Sequence, residues 1–121
     1  MTVSTSEFNA AWLKAWTDKD VERLVSFYTE DAIYKDPQTA HGLKGQDQLR
    51  AYLTEMFAAT PQMVYTPDET WDIENGFCGR WYCEVSEGDT KSRLRGFDLV
   101  ILRGDKIAVN EVYLHDLGGA A

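Results

Sequence analysis

Basic residues are scarce in this chain: 12 Lys and Arg stand against 20 Asp and Glu, for a net charge of −8. Nucleic acids and anionic membranes are bound through clustered Lys and Arg, so no nucleic acid and no membrane is expected as a partner. Cysteine is nearly absent. Cys78 and Cys83 lie five positions apart in a strand-like segment, which points them to opposite faces and argues against a bond between them. With no CxxC pair and only two histidines, no metal site is expected. No apolar run approaches the roughly 20 residues of a membrane span. Met1-Thr2-Val3-Ser4 lacks the basic segment and apolar core of a signal peptide, which makes the cytoplasm the default location.

What the chain does contain is enough apolar and aromatic material for a core. With 121 residues, 44% hydrophobic and 12% aromatic, it reads as a single domain over 1–121 and not as a disordered chain. Ser4-Thr5-Ser6-Glu7 fits a capping box, and Phe8, Ala11/Trp12 and Ala15/Trp16 recur at helical spacing to about residue 17. Asp20 can cap a second helix with Val21, Leu24, Val25 and Tyr28 on its buried face. A short strand is predicted over 32–36, a loop over 38–45, and a third helix from 47 to about 58, ended by Thr60-Pro61. Four strand-like segments follow at 63–72, 77–86, 91–102 and 106–116. Glu74-Asn75-Gly76, Glu87-Gly88-Asp89 and Arg103-Gly104-Asp105 separate them as hairpin turns. Helices followed by an antiparallel meander predict an α+β domain, its helices on one face of a curved sheet. Residues 118–121 read as a frayed tail.

The stretch from Ser26 to Pro37 organises the rest. Its strand ends on Asp36, and Pro37 biases that aspartate to extended geometry. A carboxylate is thereby held at the rim of a sheet. The order helix, helix, strand ending in Asp-Pro, helix, four long strands resembles the nuclear transport factor 2-like superfamily. The segment Asp20-Val21-Glu22, Tyr28, Asp31-Ala32, Asp36-Pro37, Gly45 is similar to its ketosteroid isomerase and SnoaL-like polyketide cyclase group. The resemblance implies a conical α+β fold of about three N-terminal helices packed on a strongly curved, mainly antiparallel sheet. It implies Asp36 as general base and Asp98, in Gly96-Phe97-Asp98-Leu99-Val100, as the acid that donates to the oxyanion. Trp12 stands where that group carries a tyrosine donor; an indole N–H can donate but cannot serve as an acid. Tyr28 matches a supporting tyrosine, and Leu114 falls where the group has a bulky aromatic.

Strand alternation extends the site. If Asp98 faces inward, the register implied by the resemblance turns Cys78, Arg80, Tyr82 and Glu84 inward with it. Asn110, Val112 and Leu114 join them on the last strand. Asp36 and Asp98 are thus the expected catalytic pair. Trp12, Tyr28, Arg80, Tyr82, Asn110, Val112 and Leu114 are the expected substrate-binding residues, with no cofactor. The pattern fits a cofactor-independent enzyme, isomerase- or cyclase-like, moving a proton on a small hydrophobic carbonyl compound. The alternatives are epoxide opening by an Asp–Arg–Asp cluster and a non-catalytic binding or interaction module. Glu111, Tyr113, Trp71 and Trp81 are expected on the outer sheet face, through which a homodimer would form. His41 and His115 are expected in solvent.

Overall fold

A computed structural model describes residues 4–119. Ser4 opens α1 (Thr5–Thr17): its hydroxyl accepts from the Glu7 amide, and the Glu7 side chain reaches back to the Ser4 backbone. This reciprocal cap satisfies two otherwise orphaned donors. The chain leaves α1 through Lys19 at φ 53°, and Asp20 caps the short α2 (Val21–Val25) by accepting from the Arg23 amide. Tyr28 is not on α2. It begins β1 (Tyr28–Lys35), a longer strand than the sequence suggested. The loop after Asp36 contains β2 (Leu43–Lys44) and leads into α3 (Gln46–Ala59).

Four long strands follow: β3 (Gln62–Ile73), β4 (Gly76–Glu87), β5 (Thr90–Arg103) and β6 (Lys106–Gly119). They pair antiparallel in sequence through tight turns, and Asn75 and Gly104 adopt the positive φ that such turns need. β6 then pairs in parallel with β1, giving one six-stranded mixed sheet of order β2-β1-β6-β5-β4-β3. Of the tail expected over 118–121, Gly118 and Gly119 belong to β6, and the last two residues lie outside the described range, as do the first three residues of the expected leaderless start.

The helices cover one sheet face. Trp12, Leu13, Ala15 and Trp16 of α1, Leu24 and Val25 of α2, and Leu49 and Leu53 of α3 form the core with Tyr34, Phe77, Trp81, Val100 and Ile107 of the sheet. Both cysteines are free. No helix among the described residues is long and apolar enough to cross a membrane.

Candidate active site

Between the helices and the sheet lies a cavity of about 600 Å³. Asp36 and Asp98 both line it, with Trp12, Trp16, Tyr34, Tyr52, Tyr65 and Trp81 as its aromatic walls. Val112 and Leu114 reach it from β6.

Asp98 sits in mid-strand on β5 and is 2% exposed. Its Oδ2 accepts from the Trp81 indole at 2.8 Å, while its Oδ1 has no hydrogen-bond partner among the described residues. Burial pushes its carboxyl up to about 7, against the Trp81 indole and the Asn110 amide, which favour the anion. The indole reaches Asp98 because Gly96 lies opposite Trp81 in the ladder. The ring occupies the space a Gly96 Cβ would take. Half-ionised near neutrality and open on one oxygen, Asp98 can give or take a proton.

Asp36 is built differently. The phenols of Tyr34 and Tyr52 donate to its Oδ2 at 2.9 and 2.6 Å. The Gln38 amide, the Thr39 amide and the Thr39 hydroxyl donate to its Oδ1, each at 2.9 Å. Five donors fill the roughly four lone-pair sites of one carboxylate. Burial raises both phenols, and the Asp36 charge adds to the rise. Neither tyrosine was singled out as a site residue, although Tyr34 stands two residues before Asp36 and Tyr52 on the apolar side of α3.

Trp12 does not donate into the cavity. Its indole N–H is used by the Tyr28 hydroxyl at 3.2 Å, which in turn donates to Asn110 Oδ1 at 2.9 Å. Asn110 also donates to the Leu99 carbonyl at 3.3 Å. Tyr28 and Asn110 therefore support the cavity from beneath, and Trp12 offers it only a ring.

The expected orientation of β4 is reversed. Gly79 pairs with Asp98 and Trp81 with Gly96, so Phe77, Gly79, Trp81 and Cys83 face inward and all four are buried. Arg80, Tyr82, Cys78 and Glu84 accordingly face outward. Arg80 pairs with Asp68 at 2.7 Å and lies over Trp71, and Tyr82 lies beneath Arg93. The physical reason is the period of two: a one-residue slip exchanges the faces of a whole strand. Trp81 thus leaves the outer-face group and joins the site. With Arg80 gone, the Asp–Arg–Asp cluster does not exist. Trp71, Phe97 and Tyr113 remain exposed on the outer face, and His41 and His115 are exposed. Among the described residues no three His, Cys, Asp or Glu side chains converge as metal ligands.

The fold is an α+β domain of three helices on a six-stranded mixed sheet, with an aromatic-walled cavity that holds two aspartates. The SnoaL-like domain family matches residues 10–110, and the chain belongs to that family, within the nuclear transport factor 2-like superfamily. No curated protein matches the sequence. Among solved structures it is similar to a hypothetical protein of ketosteroid isomerase-like fold from Catenulispora acidiphila DSM 44928, in complex with trimethylamine. The two share 19% identity at TM-score 0.80, over 94% of this chain and 88% of that one. It is also similar to SalBIII, an epoxide hydrolase/cyclase-like enzyme of pyran ring formation in salinomycin, with 19% identity, TM-score 0.77, and 92% and 90% covered. A third is a protein from Shewanella putrefaciens CN-32 proposed as a SnoaL-like polyketide cyclase, with 10% identity, TM-score 0.78, and 93% and 80% covered. At these identities the likeness is one of fold.

Proposed function

We propose that the protein is a cofactor-independent acid–base enzyme acting on a small hydrophobic carbonyl compound, isomerase- or cyclase-like. The observation that carries this reading is Asp98: a buried carboxyl with one unpartnered oxygen in an aromatic cavity that also holds Asp36. A non-catalytic cavity gains nothing from burying such a group, which costs free energy unless it is used or paired.

In the proposed step, neutral Asp98 donates from Oδ1 to the substrate carbonyl. Asp36 Oδ2 takes a proton from the adjacent carbon, releasing one phenol as it does so. The C–H electron pair becomes the enolate C=C bond and the carbonyl π pair moves onto oxygen, where the Asp98 hydrogen bond strengthens as charge develops. The proton then returns to another carbon, as in an isomerisation, or the enolate carbon attacks a second carbonyl, as in an intramolecular aldol closure. Giving up a phenol–carboxylate bond costs about 1.5–3 kcal/mol, which the enolate hydrogen bond must offset.

The test has two readouts. Carbon-13 NMR of the Asp carboxyls, with Asp36→Asn and Asp98→Asn for assignment, should show Asp98 titrating near pH 7. Enones and polyketide-like ketones in heavy water should exchange α-protons in wild type, with the rate falling as pH rises through that value. Titration of Asp98 in the ordinary carboxyl range, or exchange that survives both substitutions, would overturn the mechanism.

A further inference from the structure

The aromatic walls form a continuous belt. Tyr52 and Tyr34 have ring centroids 6.0 Å apart, Tyr34 and Trp16 6.3 Å, Trp16 and Tyr65 5.9 Å, and Tyr65 and Trp81 5.0 Å. A carboxyl closes each end: Asp36 holds the Tyr52 and Tyr34 hydroxyls, and Asp98 holds the Trp81 indole.

These bonds also consume the belt's donors. Both phenols of Tyr34 and Tyr52 give their protons to Asp36, and the Trp81 N–H goes to Asp98. Lys19, the basic side chain on the cavity wall, directs its ammonium to the Phe57 carbonyl, the Thr60 carbonyl and the Thr60 hydroxyl. What lines the cavity is therefore rich in aromatic side chains and acidic, with its one basic side chain already engaged.

We infer that this belt binds a ligand bearing a quaternary or protonated tertiary ammonium group, seated over the Trp16 and Tyr65 faces between the two carboxyls. Ring faces and carboxylates both attract such a cation, and its methyl groups fit apolar walls. An anion would meet two carboxyls with no cation free to receive it. A neutral apolar ligand would fill the space and leave Asp98 Oδ1 without a partner. The inference rests on the same cavity being the ligand site, and it specifies the substrate class as an ammonium-bearing carbonyl compound.

Three probes of nearly equal shape test it: benzyltrimethylammonium, its neutral isostere neopentylbenzene, and phenylmethanesulfonate. Each is titrated at pH 8, where Asp98 is ionised, and read by tryptophan fluorescence and calorimetry. The cation is expected to bind at least about tenfold tighter than the neutral isostere, and the anion more weakly than both. That margin should shrink at least about threefold in Asp98→Asn and in Tyr65→Leu. Equal affinity for cation and neutral isostere, or no binding by any probe, overturns the inference. So does a cation margin unchanged in both variants, which would place the cation elsewhere on an acidic surface. Proton exchange on ketones is read independently, so exchange without cation preference sinks only this inference. Cation preference without exchange sinks only the proposed reaction.

Discussion

At Asp98 the folded protein holds a proton that the unfolded chain releases. The carboxyl moves from 3.8 to about 7 on folding, and a raised value means that stability is full below the unfolded value and is lost as pH rises. Between about pH 4 and 7 this one residue withdraws about 4 kcal/mol, and above that window the loss is constant. Asp98→Asn removes the dependence. The urea midpoint of the variant relative to that of the wild type should rise between about pH 4 and 7 and stay level above that window. A difference that does not change with pH would mean that Asp98 is ionised throughout. Gly96 acts on the same carboxyl at one remove. A methyl group there collides with the Trp81 indole, so Gly96→Ala should cost about 1–3 kcal/mol and break the Trp81–Asp98 bond. Asp98 should then titrate above its wild-type value in carbon-13 spectra. An unchanged titration would leave Gly96 a packing residue alone.

Among the elements, the Lys19 side chain ties the α1–α2 corner to the end of α3 by hydrogen bonds. Lys19 donates to two carbonyls and one hydroxyl there, in place of the carbonyl partners that a helix terminus lacks. Lys19→Met keeps the stem and removes the ammonium. It should lower stability by about 1–3 kcal/mol, and amide exchange should speed up in the last turn of α3 before it does in the sheet. Most elements could be read from the sequence. The Ser4–Glu7 cap, the 3.6-residue stripe of α1 and the Asn75-Gly76 turn are local signals, and local physics sets them. Asp36 and Asp98 were paired through the family resemblance; the Asp-Pro step and the apolar strand neighbours of Asp98 are the local features that agree with it. The face of β4 was misread although Phe77, Gly79, Trp81 and Cys83 are its more apolar set; alternation along the strand supports the observed register, and the borrowed register did not. Tyr34 and Tyr52 escaped notice for a different reason. Their hydroxyls meet one carboxylate from a strand and a helix, a convergence that only the packing of α3 on β1 creates.

On the scale of the whole molecule, one sheet face is covered by helices and the other is bare. Trp71 and Phe97 are each 40% exposed and Tyr113 58%, amid charges of both signs such as Arg80 with Asp68 and Glu69. A surface carrying aromatics together with both signs can complement itself across a two-fold axis, and we propose a second copy of this chain as its occupant. Sedimentation should find a dimer that Phe97→Lys with Tyr113→Lys converts to monomer. A monomeric wild type would rule the pairing out.

The parallel seam between β1 and β6 sets an order of events in time. Tyr28 and Asn110, which join beneath the cavity, lie 82 residues apart in the chain. The hairpins β3–β4 and β4–β5 close over short loops and can form early. The seam must wait for a closure whose entropy is large and whose reward comes late. During synthesis, the three helices and β1 emerge first; α1 can dock on β3 once that strand is made, but the parallel edge of β1 has no partner until β6 is made. The floor of the cavity is therefore among the last parts of the fold to assemble. A chain stalled before β6 carries every aromatic of the belt but has no closed site in which to use them.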